Sequence, residues 1–475
     1  MPLYVATAGW VLGIWYASRW DGAPSLYIVG ALAALGALLL GRADRRLVLA
    51  AVFTLTLTLG AARMDRALGS EIARLAGSPV RIEGVVVEQR TRGVYVVRAR
   101  RPSRGVVLLN TGRGSKLRYG DLVSVRGAPA PDEGWEPWER GIARSTGAAL
   151  VFRRPSVDLL DTGQGGRLGS SLSEVRGYVS LLLERHVPWR YYPVAEGLLL
   201  GGSLHLDSDI KAAFRKSGTS HILAASGYNV SVLAALFLVL LRPLLGARRA
   251  LPPVLLAILV YAGLAGFSPS IVRAALMGAI TVFGVWLGRP RDSGRALAAA
   301  AILMSVLHPH AVFDIGAQLS FVATAGLIWL LPQVLRGMRR APRPLAEAVA
   351  VALTAQISTL PLSLYYFGGL SVWSLVANVI IAPLVPVGML TSGLTLVTGA
   401  VWYPLGELCG AVAGTVLAAN VGVAQAVSAL PGSGLQTERI PLPAVWLYYA
   451  AVLLALWLPG RMPRWVAVAG GQPGP

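Results

Sequence analysis

The stretch SGTSHILAASGYNV, residues 217–230, places Ser220, His221, Ser226 and Asn229 at the mouth of a long apolar run. Each side chain loses water on entering hydrocarbon and needs a partner or a wet cavity. Read as one helix, Ser220, Ala224, Gly227 and Ser231 form a stripe, with His221, Ala225 and Asn229 beside it. Small stripes let helices approach closely while their polar members bond across the contact, so packing is one reading of the set. A polar-lined path is the other, because such groups recur downstream. The segment GFSPSIVRAALMGA adds Ser268, Ser270 and Arg273, and HPHAVFDIGAQLSF adds Asp314, Gln318 and Ser320. AQISTLP then adds Gln356, Ser358 and Thr359, and SLVANVI adds Asn378. Arg273 and Asp314, near the ends of adjacent apolar segments, are placed to pair. The chemistry on offer is exchange of a permeant's hydration for side-chain hydrogen bonds, with no covalent step.

Cations stand in two further groups. In LDSDIKAAFRKSG, Asp207 or Ser208 caps a short helix that Gly218 ends. Lys211 and Arg215, one turn apart, form a basic ridge with Lys216 beside it, opposite Ile210 and Phe214. Such a ridge suits phosphate contact or snorkelling at a membrane interface. Upstream, residues 77–130 hold eleven Lys or Arg against three acidic residues. Arg98, Arg100, Arg101 and Arg104 cluster at one hairpin, with Arg113, Lys116 and Arg118 on a neighbouring loop. With Tyr95 and Tyr119 nearby, this suits single-stranded nucleic acid, charge meeting phosphates and rings meeting bases. Attraction to anionic lipid headgroups is the alternative.

Several chemistries are absent. GRGSKLRYG fails the P-loop spacing, so no nucleotide-driven motor is expected. His308 and His310 lack supporting Cys or Glu, and the single cysteine, Cys409, excludes a multi-cysteine metal site. Ser220 and His221 are neighbours in sequence, which does not make a triad. Neither an enzyme nor a resident metal or cofactor is expected.

The elements that must position these groups are membrane helices. Of 475 residues 55% are hydrophobic and 14% charged, against roughly 25% charged in soluble domains. Apolar segments at 3–18, 26–40, 47–60, 222–241, 254–266, 271–287, 296–307, 319–331, 345–364, 372–398, 412–429 and 445–458 suggest about twelve membrane segments. Pro383 and Pro386 should interrupt the segment at 372–398. Arginine-rich loops (42–46, 242–249, 289–295, 336–343, 461–464) alternate with FSPS, HPHAVFD and YFGGLS, which carry no Lys or Arg. By the positive-inside rule the amino terminus is cytoplasmic. No cleavable signal is read at the start, since no basic residue precedes the first apolar run.

Between the third and fourth segments the pattern changes to period-2 runs at 80–88, 94–100, 105–110, 121–127 and 149–153. Five short strands suit a small OB-like barrel, which the topology puts outside. Residues 166–187 read as an amphipathic helix lying on the bilayer or packed on the barrel. The expected organisation is membrane helices (1–66), OB-like β domain (67–160), interfacial helix (161–196), a channel-like helical domain (197–465) and a tail (466–475). The fold class is thus a polytopic α-helical membrane protein with an inserted all-β extracytoplasmic domain.

The blocks GLLLGGSLHLDSDIKAAFRKSGTSHILAASGYNV, GFSPSIVRAALMGA, HPHAVFDIGAQLSFVATAGLI and AQISTLPLSLYYFGGLSVWSLVANVIIAPLVP together resemble the ComEC competence-protein family. They span 197–386; the strand-rich insert resembles, more loosely, that family's OB-like domain. The resemblance implies passage of one DNA strand across the cytoplasmic membrane in natural transformation. It places Ser220, His221, Ser226, Gly227, Arg273, Asp314, Gln318, Gln356 and Asn378 at motif positions. It further implies an external DNA receptor and a cytoplasmic helicase-like motor as partners, beside the lipid itself. Family members often read SGLHV where this chain reads SGYNV, so no imidazole role is carried to Asn229. Many also carry a metallo-β-lactamase-like domain with H-x-H-x-D-H, a pattern not found in this sequence, so strand degradation is expected of a separate nuclease. A secondary transporter for a small anionic solute and an intramembrane Ser/His hydrolase are the competing readings.

Overall fold

The computed structural model describes residues 1–19, 24–40, 45–68, 71–76, 78–91, 93–112, 117–202, 205–223, 226–286, 292–338 and 340–457. They form two compact units: Met1–Lys211 with Ser220–Phe321 and Pro383–Asn420, and Ala212–Thr219 with Val322–Ala382 and Val421–Pro475.

In the first unit a six-stranded sheet comprises β1 (Val80–Thr91), β2 (Val94–Arg101), β3 (Gly105–Asn110), β4 (Leu122–Gly127), β5 (Ala148–Arg153) and β6 (Ser156–Asp161). Its order is β5-β3-β2-β1-β4-β6. The first three strands meander, β4 returns antiparallel to β1, and β5 runs parallel to β3. The Ala130 amide donates to the Val151 carbonyl at 2.7 Å, which links the chain after β4 to β5. Strands 1-2-3-5-4 therefore return on themselves around Ile82, Val86, Tyr95, Val97, Leu109, Val123, Leu150 and Phe152. All five expected strands are present. The sixth, β6, escapes a period-2 search because Leu159 and Leu160, adjacent residues, are both exposed on it.

One helix of this domain is also absent from the sequence reading. Pro137–Thr146 starts with Pro at its first position and a Glu136/Glu139 capping box, and ends at Gly147 in the left-handed region, φ 74°. It covers the outer face of the sheet: Trp135, Ile142 and Ala143 pack with Val94, Val96, Leu108 and Val151. Residues 94–97 are consequently buried on both faces, and the exposed arginines begin only at Arg98.

Glu139 of this helix is fully buried and accepts from Nε of Arg153 at 3.0 Å. Burial alone would raise its carboxyl. Hydrogen bonds from Arg153 and the Glu136 amide, with the Arg153 charge, hold it below the ordinary carboxylate range. A depressed folded pKa contributes stability that is full above the ordinary glutamate value of about 4.3 and is lost as pH falls through the folded value. Urea unfolding of the detergent-solubilised chain should lose midpoint on acidification, with a shallower acid limb in Glu139→Gln. Parallel acid limbs would remove Glu139 as the cause.

A helix lies at every expected apolar segment. Five are long and apolar enough to cross a membrane among the described residues: Arg46–Ala67, Gly227–Arg249, Arg343–Phe367, Leu384–Val401 and Tyr403–Ser428. The pair Ile315–Trp329 and Leu331–Gly337, bent by 51°, makes a sixth if it is one span. Leu251–Leu264 and Ser293–Leu307, at 14 and 15 residues, reach only about 21–23 Å at ~1.5 Å per residue, short of a ~30 Å hydrocarbon core. A helix ends at Ile381 and the next starts at Leu384, with Pro383 between them, so the proline break falls where expected. At the amino end, Pro2–Ala17 packs on Arg45–Leu68 backbone to backbone: a Cβ on Gly13 would lie 2.0 Å from the Leu57 carbonyl oxygen.

Candidate functional site

The β domain presents its arginines in two states. Arg81 pairs with Glu83 at 3.4 Å and Arg126 with Asp158 at 3.1 Å. Arg98, Arg100, Arg101, Arg104 and Arg118 are exposed and form no ion pair among the described residues. The first four gather at the end of β2 and the turn into β3, with Arg100 donating to the Gln164 carbonyl at 3.1 Å. Arg113 and Lys116 lie outside the described residues.

Neither tyrosine serves as a stacking platform. Tyr95 is 1% exposed and its hydroxyl receives the Leu117 amide. The Tyr119 ring lies against Gly165 and Gly169, at the start of the helix Arg167–His186. The expectation of rings beside the charge is corrected: Tyr95 sits on the inward side of a strand covered from both faces, and Tyr119 is consumed in packing.

The ridge is a helix, Ser208–Lys216, on which Lys211, Arg215 and Lys216 are exposed while Ile210 and Phe214 are buried. Gly218 follows in the left-handed region at φ 76°. The polar stretch after it is not one helix, however. Ser220–Ile222 is a 3₁₀ turn with Ser220 and His221 exposed, and the long helix begins at Gly227 with Ser226 as its N-cap. The expected stripe through Ser220, Ala224, Gly227 and Ser231 does not form, because a serine able to cap competes with helix continuation. Ala224 and Ala225 lie outside the described residues.

Within the first unit the Ser226 hydroxyl donates to Oδ1 of Asn229, and Nδ2 of Asn229 donates to the Leu198 carbonyl at 2.9 Å. Arg273, on Pro269–Trp286, is 7% exposed. Its Nη1 donates to the Ser320 carbonyl at 2.7 Å, and its Nη2 lies against Gly227, 2.4 Å from where a Cβ would stand.

The expected Arg273–Asp314 pair is not formed. Asp314 caps the helix Ile315–Trp329, accepting the Ala317 amide at 2.9 Å, and its second oxygen lies 3.8 Å from Arg90 of β1. Short polar caps take the carboxylate first. Gln318 donates to the Val312 carbonyl at 2.9 Å, and Ser270 to the Gly316 carbonyl at 3.5 Å. The carbonyl of Ser268 receives the Ile271 and Val272 amides at the entry to Pro269–Trp286. In the second unit, Gln356 lies on Arg343–Phe367 and Asn378 on Ser374–Ile381. Ser226, Asn229 and Arg273 are thus gathered at the start of Gly227–Arg249, with Asp314, Gln318 and Ser270 around the start of Ile315–Trp329.

Sequence reasoning missed a second polar knot. Glu196 accepts from Ser180 at 2.8 Å and from Nδ1 of His205 at 2.7 Å, while Arg176 donates to the carbonyls of Gly201 and Leu264. Burial would raise the Glu196 carboxyl, but bonds from His205 and Ser180, and the charges of His205 and Arg176, hold it below the ordinary range. Burial lowers the Arg176 guanidinium. The signal was legible: Glu196 is the one charge in the apolar helix YPVAEGLLL.

Comparison with known proteins gives a consistent answer. Residues 198–462 match the family model described as Competence protein. The chain is 30% identical over 191 residues to ComE operon protein 3 of Bacillus subtilis, covering 40% of this chain and 24% of that one. It is 33% identical over 199 residues to Competence protein ComA of Neisseria gonorrhoeae, covering 39% and 27%. The uncharacterized protein YcaI of Escherichia coli is 27% identical over 240 residues, covering 44% and 29%. The chain thus spans about a quarter of the length of the curated relatives it matches. No solved structure matches. With apolar helices of membrane length and more than half of its 475 residues matched, this membrane protein belongs to the Competence protein family.

Proposed function

We propose that the chain conducts single-stranded DNA across the cytoplasmic membrane during natural transformation. The observation that carries this is the run of arginines at the β2–β3 turn: four exposed guanidiniums that form no ion pair among the described residues, where Arg81 and Arg126 of the same sheet are paired. Exposed like charges repel one another, and a polyanion relieves them. The strand circuit 1-2-3-5-4 supports reading the domain as OB-like. The alternation of arginine-rich and arginine-free loops supports placing this domain outside and the amino terminus inside, with short helices completing about twelve membrane segments.

From the barrel the strand passes to the Lys211/Arg215/Lys216 ridge and then along Ser220, His221, Ser226, Asn229, Ser268, Ser270, Arg273, Asp314, Gln318, Gln356 and Asn378. Side chains and water along this path replace the strand's hydration. Drive comes from outside the chain, from a helicase-like cytoplasmic motor or an ion gradient. An external receptor delivers the DNA, and a separate nuclease removes the other strand.

Titration of single-stranded and duplex DNA onto the detergent-purified chain across a salt series tests this. Preferential single-strand binding is expected. Lys211→Ala/Arg215→Ala/Lys216→Ala should weaken it and take about two units from the slope of log K against log salt, at ~0.7 per phosphate contact. Equal binding of duplex would sink the single-strand reading, and an unchanged slope would remove the ridge from the path.

A further inference from the structure

The helix Gly227–Arg249 begins with an arrangement that its own packing does not explain. Its first amide groups have no intrahelical partners and carry the positive end of the macrodipole. Against this end lies the guanidinium of Arg273, itself a buried cation. Two positive groups facing one another out of water is costly unless an anion completes the set.

No acid does so among the described residues. Asp314, the expected partner, is committed to the Ala317 amide and lies beside Arg90. Only Nη1 of Arg273 is used, by the Ser320 carbonyl. Its Nε is buried and has no partner. Nε and Nη2 form one side of the planar guanidinium, the side whose two parallel N–H groups match two oxygens of a carboxylate or phosphate. That edge makes no hydrogen bond among the described residues, and its Nη2 end rests on Gly227. The glycine is required there: a Cβ would lie 2.4 Å from Nη2 and push the fork away from the helix start.

We propose that the Nε–Nη2 edge of Arg273, set against the N-terminus of the helix Gly227–Arg249, is a seat for one phosphodiester group of the passing strand. The inference rests on the single-strand conduction proposed above. The phosphodiester monoanion receives two N–H groups from Arg273 and one or more from the first helical turn, as anions at helix starts do. Ser226, which caps the Asn229 amide, holds that turn in place. One such seat inside the membrane holds a strand in register without reading its bases, and a single contact remains weak enough to release it.

The test is binding of an oligothymidylate, and of a base-free phosphodiester oligomer of equal length, to the whole chain in nanodiscs over a salt series. Arg273→Gln should lose about 0.7 from the slope for both probes, the value of one single-strand phosphate contact. Arg273→Lys should keep the slope but bind severalfold more weakly, because an ammonium cannot present the fork. Gly227→Ala should also lose slope although no charge is removed, an effect that a purely structural role for Arg273 does not produce. Wild-type affinity in Arg273→Lys together with wild-type slope in Gly227→Ala would overturn the seat, even if Arg273→Gln fails to fold. If those variants bind like wild type while arginine variants of the β2–β3 turn bind weakly, conduction stands and the seat falls. A wild-type chain that binds neither probe overturns both.

Discussion

Replacing Arg98, Arg100, Arg101 and Arg104 together by alanine is expected to remove about 2.8 units from the salt slope of single-strand binding, four contacts at ~0.7 each. At about 0.1 M salt this corresponds to an affinity loss on the order of a few hundredfold, larger than any other surface variant should produce. The domain should remain folded. These side chains are exposed and unpaired, and the core beneath them consists of Tyr95, Val97, Ala99 and their neighbours. Since Tyr95 is buried and Tyr119 is packed on Gly165 and Gly169, neither tyrosine is offered for stacking, and the proposed surface is expected to hold phosphates and not bases. A base-free oligomer should therefore bind within about twofold of oligothymidylate. Stacking at ~1–3 kcal/mol per base would instead make the base-free probe at least fivefold weaker. Equilibrium titration of both probes decides the point. A salt slope that survives the fourfold replacement would assign these arginines to anionic lipid.

What the sequence discloses and what it hides follow one physical rule. Segments whose partner is bulk solvent or lipid are legible, because their pattern records a single boundary. The apolar helices and four of the five expected strands' limits are of that kind, as is the ridge of Lys211, Arg215 and Lys216 opposite Ile210 and Phe214. Segments with protein on two sides are not. The run Val94–Val97 reads as a strand, yet its outer face is covered by Pro137–Thr146, a helix hidden in a proline-rich, polar stretch. That second layer buries Val94 and Val96, while Tyr95 is removed from any ligand by the core on the inward face. Likewise Ser226 has both helical and capping potential, and its capping of Gly227–Arg249 decides where Asn229 and Gly227 stand. Arg273 was legible as a residue that must find a partner at membrane depth. Its actual arrangement was not, because a backbone carbonyl such as that of Ser320 leaves no trace in residue type.

The same two-sided packing makes one glycine row decisive for the first unit. The helix Arg167–His186 ends on Tyr403–Ser428, where Gly406, Gly410 and Gly414 recur once per turn. The chain at 186–188 lies directly on them. A Cβ on Gly410 would stand 2.0 Å from the His186 carbonyl oxygen, and one on Gly414 2.7 Å from Cδ of Pro188. The obstacle at Gly410 is backbone, so no rotamer change relieves it, and within the unit His186 itself is 5% exposed with its ring against Tyr403. Gly410→Ala should therefore cost about 1–3 kcal/mol, the range for overpacking. Gly393→Ala, on Leu384–Val401 with nothing within 4 Å of its Cβ, should instead gain up to ~1 kcal/mol from helix propensity. Opposite shifts in thermal unfolding of the two purified variants are the expected result. Association of apolar helices in lipid depends on close van der Waals contact, since lipid tails are as apolar as the side chains themselves. Equal shifts would mean that 186–188 does not rest on this row.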